Sequence, residues 1–311
     1  MEGIDPTRTR ARTDEREPEL IAPKGGPKYD DLPPDLAARV LDQLRGNDLV
    51  RRYGDDHGPT AGKLDGPRYL GPAIERPTLI VDGIRPTDVV QANVGDCTVE
   101  ASLASLARTE RGQAWLKSRM TEIRGADGAV VSYTVQLKVP TGPGVYVDKP
   151  VLVYPSELAK GHPLQHDAAG NTETWPLVWE AAIAKAQGGF SVLNAGSNVP
   201  CSSAFITGKP AVDSVPKAEP SFETKLTADF VAGKLQVLST GDPVDALNLP
   251  GSHAFTVVDV RELQLVSHPD GSTTCETLVY LRNPWGFGDP KPLTIAQVQD
   301  AFAAYSVGDV P

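Results

Sequence analysis

Cys97 is the residue of this chain best placed to do chemistry. It closes the run Gln91-Ala92-Asn93-Val94-Gly95-Asp96-Cys97, and the small apolar residues from Val99 to Ala107 that follow read as a helix. A cysteine in the first turn of a helix meets unpaired backbone N–H groups and the positive end of the helix dipole, which favour thiolate over thiol. Cys97 is therefore a candidate nucleophile. Gln91, six residues upstream, carries an amide that can donate, together with the Cys97 N–H, to a single developing oxyanion. The competing reading is a buried structural cysteine at an ordinary helix start.

A sulfur nucleophile needs a base, and the base needs a third group to hold its ring. Two later segments supply them, Gly251-Ser252-His253-Ala254-Phe255-Thr256-Val257-Val258 and Leu281-Arg282-Asn283-Pro284-Trp285-Gly286. Between them, strand-like runs Glu262 to Val266 and Thr273 to Leu281 flank Ser267-His268-Pro269-Asp270-Gly271-Ser272, whose Pro-Asp-Gly core is a turn signal. A hairpin folded there opposes positions whose numbers sum to about 540, which sets Asn283 across from Thr256 or Val257, near His253. A bulge would close the remaining offset.

Pro86-Thr87-Asp88-Val89-Val90-Gln91, Gly95-Asp96-Cys97, the His253-Ala254-Phe255 strand and Leu281-Arg282-Asn283-Pro284-Trp285-Gly286 together resemble the calpain family of cysteine peptidases. Trp175 to Ala186 is similar to the helix that precedes that family's substrate-binding loop, and Ala204-Phe205-Ile206-Thr207-Gly208 to a short segment after it. The similarity runs over roughly residues 75 to 310 and leaves the first seventy or so unmatched. The resemblance implies Cys97 as nucleophile, His253 as general base and then acid, Asn283 as the group orienting the imidazole, and Gln91 in the oxyanion hole. It further implies Trp285 as a cover over the Asn–His hydrogen bond, and Gly196 and Ser252 as contacts to substrate backbone. The chain departs from the family pattern at Thr98, where tryptophan is usual, at Glu100 in an otherwise apolar stretch, and at Ala92 and Ser252, where glycine is usual. Glu100 is expected to meet a basic group of substrate or partner, since negative charge beside a thiolate is unfavourable.

The implied fold is α+β, a papain-like core with a helical half carrying the Cys helix and a β-rich half carrying His and Asn. The implied activity is endopeptidase cleavage of protein or peptide substrates through a thioester acyl-enzyme. Two alternatives stay open: a transglutaminase-like acyltransferase, and a catalytically silent interaction module. No cofactor is required by this chemistry. Calcium activates much of that family, but no Asp-x-Asp-x-Asp-Gly loop is present here, so calcium-independent activity is expected, calcium being at most an activator. His162, His166 and Asp167 form a poor metal set, with Pro163 between the histidines.

Composition narrows the remaining classes. At 311 residues and 40% hydrophobic content the chain can bury a sizeable core. A formal net charge of −10 disfavours nucleic acid or an anionic membrane as partner. Cys97, Cys201 and Cys275 are too few and too dispersed for a disulfide framework, which fits a reducing compartment. No run reaches the ~18 apolar residues of a membrane span, and no secretory signal is seen, so a cytoplasmic location or a non-classical secretion route is expected. Richness in Ala, Gly, Pro, Val, Arg and Asp resembles a GC-rich bacterial source, and a role as a delivered effector or toxin is compatible with it.

Along the chain, residues 1–34 hold fourteen charged side chains and no apolar periodicity, the pattern of a disordered tail. Met1 to Pro6 also has the look of an expression scar. Leu36, Val40, Leu41, Leu44 and Leu49 then recur at helical spacing, so residues 35–74 read as a helical extension that docks on the core, covers the cleft in self-inhibition, or serves as a recognition handle. The core, 75–311, divides at about 210 into a Cys half and a His/Asn half. Strands are expected within Val130 to Val153 and Phe230 to Leu238, and helices over Trp175 to Gln187 and Thr294 to Tyr305. His57 and His268 read as exposed, and Cys201 as a packing residue in a polar loop.

Overall fold

The computed structural model describes residues 74, 76–91, 94–158, 170–268 and 270–311. The tail, the 34–53 helix, His57, Ala92, His162, His166 and Asp167 lie outside the described residues. Within them, strands β1 (Pro77–Thr78), β2 (Met120–Arg124), β3 (Val130–Gly142), β4 (Val145–Val153) and β5 (Thr172–Glu173) accompany helices α1 (Cys97–Ala107), α2 (Glu110–Ser118), α3 (Trp175–Gln187), α4 (Phe190–Asn194) and α5 (Val199–Thr207). The later half adds β6 (Val212–Ser214), helix α6 (Phe222–Val231), β7 (Leu235–Thr240), β8 (Ala254–Ser267), β9 (Thr273–Arg282), β10 (Leu293–Thr294), α7 (Ile295–Ala301) and β11 (Phe302–Gly308). The α+β class follows.

Helix α1 is buried on every side, the Val99, Leu103, Leu106 and Ala107 face included. Its Ala and Ser residues make this possible, because small side chains let neighbouring elements approach on all faces. Thr256 Oγ1 donates to Ala101 O at 2.8 Å, and the Gln236 N–H donates to Ser105 Oγ at 2.7 Å, so β8 and β7 are tied directly to this helix. Helix α3 begins with Pro176 in its first turn, where a missing N–H costs nothing, and ends at Gly188 with φ +106°. Trp175 and Trp179 on it are core residues.

Two hydrophobic clusters result. The larger gathers α1, α3 and the inner face of the β2-β3-β4 sheet, with Tyr133, Val135, Leu137 and Val139 pointing inward at period two. The smaller fills the space between α6, α7 and the six-stranded sheet ordered β10-β9-β8-β7-β11-β6.

Two expectations fail in the second half. The segment from Phe230 to Leu238 is not one strand: α6 runs through Val231, and only from Leu235 does the chain extend into β7. Phe222 and Leu226, one turn apart and both buried, set the helix. The last helix stops at Ala301, and Phe302 to Gly308 becomes a strand pairing with β7 and β6. Ladder bonds and burial of Tyr305, whose hydroxyl bonds Asp229 and Gln236, outweigh the helical periodicity there. Cys201 likewise lies in a buried helix, α5, capped by Asn198, and not in a loop.

The β8–β9 hairpin turns where expected, with Ser267 opposite Thr273. Two bulges, at Val257/Asp259 and Arg261/Gln264, shift the register so that Thr256 faces Arg282 at the base. Asn283 therefore emerges just past the paired region.

Candidate active site

Cys97 is the first residue of α1, at the end that offers unpaired N–H groups. Gly95 N–H donates to Asn194 Oδ1 at 2.9 Å, which fixes the loop leading into the helix. The Cys97 thiol is buried, and burial pushes its pKa up to about 12, partly offset by the backbone N–H groups of Ala254, Thr98 and Cys97 itself. Ala254 directly follows His253, so the thiol lies against the backbone that carries the imidazole.

The imidazole is also buried. Its Nε2 lies 2.9 Å from Asn283 Oδ1. That same oxygen accepts the Trp285 N–H at 3.0 Å, which identifies it as the carbonyl and not the NH2 side of the amide. Nε2 must then carry the ring hydrogen, leaving Nδ1 as an open lone pair. Among the described residues Nδ1 has no hydrogen-bond partner, the thiol included. Burial lowers the ring's pKa to about 4, with the Asn283 bond acting in the opposite sense. Burial thus favours the neutral form of both groups, with the ring hydrogen on Nε2.

Asn283 is held from several directions. Its N–H donates to Asp289 Oδ1 at 2.7 Å, and the Trp285 ring lies over the imidazole at 4.5 Å with 40° between planes. Across the cleft, Gln91 N–H donates to Pro284 O at 2.6 Å, and Arg282 Nη2 donates to the carbonyls of Thr87 and Val89. The Gln91 and Asn283 segments are thereby stitched together. The Gln91 amide gives one hydrogen to Val94 O at 2.7 Å and has a second to donate.

Gly196 sits with φ +85° in the loop before α5. Its neighbour Ser197 joins Thr98 and Ser202 in a triangle of hydroxyls 2.9 to 3.0 Å apart, which fills the place of the usual tryptophan and links the Cys97 helix to this loop. Ser252 adopts φ +48°, a left-handed conformation that favours glycine, just before His253. Gly196 is thus one residue from a hydroxyl tied to the Cys97 helix, and Ser252 directly precedes His253.

Glu100 overturns its expected role. It is 0% exposed, so no basic group of substrate or partner reaches it. Its carboxyl converges with those of Asp96 and Glu180, from α3, to within 4.8 Å. Burial first, then the neighbouring carboxylates, drives the Glu100 pKa far up, and burial raises that of Glu180. Glu100 and Glu180 are thereby held toward their protonated forms, so Glu100 places little negative charge behind the thiol, whereas Asp96 acts on the thiol as a negative charge and raises its pKa further. Calcium takes ~6–8 oxygen ligands, and three fully buried carboxyls, two of them held toward their protonated forms, do not fit it. Arg282 and the Thr98 triangle were not legible as site residues, since each acts through a partner distant in sequence, and Asp289, six residues from Asn283, gave no motif of its own.

Residues 70–291 match the calpain family cysteine protease domain. The chain is 26% identical over 243 residues to calpain-8 of Homo sapiens and 26% identical over 249 residues to the calpain-1 catalytic subunit of Rattus norvegicus, in each case covering 74% of this chain. Calpain-9 of Rattus norvegicus is 25% identical over 227 residues, 70% of this chain. The chain spans about a third of the length of these relatives, 31–32%. A matched domain over most of the chain places it in the calpain family of cysteine proteases.

Proposed function

We propose that this chain is an endopeptidase that cleaves protein substrates through Cys97, His253 and Asn283. The observation that carries the reading is the tautomer lock: an acceptor oxygen on Nε2 leaves Nδ1 open beside the Cys97 pocket. In acylation, Nδ1 takes the thiol proton while Sγ bonds to the substrate carbonyl carbon. The carbonyl oxygen becomes an oxyanion that accepts from the Cys97 N–H and the Gln91 amide. The C–N bond then breaks, the imidazolium returns its proton to the leaving nitrogen, and a thioester remains. Water, deprotonated by the same Nδ1, attacks the thioester, releases the acid and restores the thiol.

The side chains supply all of this, so calcium, if it acts, acts on the closing of the pocket and not on the reaction. Thiol–ring closure is the step to regulate, because the two groups are neutral and unbonded at rest. Covering of the cleft by the N-terminal segment would oppose it. The same resting state favours a second reading, a silent interaction module. Incubation with a casein-like substrate, followed by mass analysis of new termini, separates the readings. Free amino termini that vanish with Cys97→Ala and His253→Ala support the peptidase. Isopeptide products with ammonia release would indicate acyl transfer instead, and no product from either full-length or 1–70-deleted protein would favour the silent module. Among the described residues no helix is long and apolar enough to cross a membrane.

A further inference from the structure

One short loop holds the Cys97 turn on both of its sides. Residues 195–198 join α4 to α5, and the connection is itself pinned: Gly196 N–H donates to Leu193 O at 3.0 Å, and Asn198 Oδ1 accepts the Cys201 N–H at 2.8 Å. Where the loop begins, Asn194 Oδ1 accepts the Gly95 N–H at 2.9 Å. Where it ends, Ser197 Oγ lies 2.9 Å from Thr98 Oγ1, and Ser202 Oγ, one turn into α5, lies 3.0 Å from the same hydroxyl. Gly95 and Thr98 bracket the Asp96–Cys97 peptide, so that unit is tied on either side to a single loop. Phe190 and Leu193 of α4 pack in the larger core and give this clamp a fixed base.

The chemistry of these ties favours position over stability. Asn194 is 1% exposed and its Nδ2 has no hydrogen-bond partner among the described residues, so the amide leaves a costly orphan donor in the interior in order to present its oxygen to Gly95. Thr98 and Ser202 are buried hydroxyls where apolar side chains of similar size would fill the same space. Apolar contact is non-directional, whereas a hydrogen bond fixes distance and angle. We propose that Asn194 and the Thr98–Ser197–Ser202 triangle are positioning residues that hold the Asp96–Cys97 peptide with the Cys97 N–H aimed at the oxyanion. They act through that peptide. A donor stabilises developing charge in proportion to how well it is oriented beforehand, so a loosened peptide lowers turnover and leaves substrate binding largely intact.

This rests on the peptidase reading and is tested separately from it. Hydrolysis of a fluorogenic peptide, which needs the oxyanion donor, is compared with alkylation of Cys97 by a peptidyl epoxide, which does not, in wild-type protein, Asn194→Ala, Thr98→Val and Thr98→Ser. Valine keeps the shape of Thr98 without the hydroxyl, and serine keeps the hydroxyl, so this pair decides the matter even if Asn194→Ala fails to fold. In Asn194→Ala kcat should fall about ten- to hundred-fold, and in Thr98→Val about five- to ten-fold, with KM within about two-fold and the epoxide rate within about three-fold of wild type. Thr98→Ser should return kcat to within about two-fold. An unchanged kcat in Thr98→Val, an epoxide rate that falls in step with kcat, or no recovery in Thr98→Ser overturns the clamp while leaving the peptidase standing. A wild-type protein that hydrolyses no peptide overturns the peptidase reading and the clamp with it.

Discussion

Replacing Asn283 by alanine removes the single oxygen on which the site's tautomer depends. Two donors lose their acceptor, the His253 Nε2–H at 2.9 Å and the Trp285 N–H at 3.0 Å. A buried donor left unpaired costs about 1–3 kcal/mol. The Trp285 amide can partly recover with water, so a stability loss of about 2–4 kcal/mol is expected, read by urea unfolding. The catalytic loss has a separate origin. Without the acceptor the ring hydrogen can move to Nδ1, where it blocks proton transfer from the thiol, and the ring is free to turn. A fall in kcat/KM of about 10²–10³, or about 3–4 kcal/mol of transition-state stabilisation, is expected in a continuous fluorogenic peptide assay. Asn283→Gln, which keeps an amide oxygen on a longer stem, should recover part of the stability but little of the rate. A kcat/KM within three-fold of wild type in a folded Asn283→Ala protein would refute the tautomer argument.

The buried carboxyl cluster gives a pH prediction of definite sign. The Glu100 pKa is raised on folding, so its contribution to stability is fully present below the ordinary unfolded glutamate value and is lost as pH rises toward the folded one. Glu100→Gln, which cannot ionise, should match wild type near pH 4.5 and become progressively more stable than it by pH 8, by up to about 1.4 kcal/mol per pH unit. Parallel stability curves for the two proteins would contradict the reading. Ser252→Gly should relieve the strain at φ +48° and raise stability by about 0.5–1 kcal/mol, seen as a small rise in Tm, whereas a valine there should lower it. A fall in Tm for Ser252→Gly would mean that the serine earns its place by contacts outweighing its backbone strain.

Much of the site could be read from sequence because its members sit beside strong local signals. Cys97 precedes an apolar helix, and His253 and Asn283 flank a hairpin whose Pro-Asp-Gly turn sets their approach. The two bulges in β8–β9 were less legible, since a bulge depends on packing against the rest of the sheet. The family and the α+β class followed from the same motifs. Where local pattern and tertiary context conflict, the pattern misleads: Phe302 to Tyr305 continue a helical spacing yet join a sheet edge between β7 and β6. Glu100 failed for a similar reason. Only the folded chain brings Glu180, on another helix, against it, and only burial holds Glu100 and Glu180 toward their protonated forms.

The central claim is that Cys97 becomes a working nucleophile when the pocket closes on substrate, although its thiol is neutral at rest. A peptidyl epoxide, which resembles substrate and alkylates only an activated sulfur, tests this directly by intact mass, with and without calcium. One adduct on the wild type, absent in Cys97→Ala and strongly slowed in His253→Ala, is the result the account predicts. No adduct on the wild type under either condition, with residues 1–70 present or removed, would contradict it.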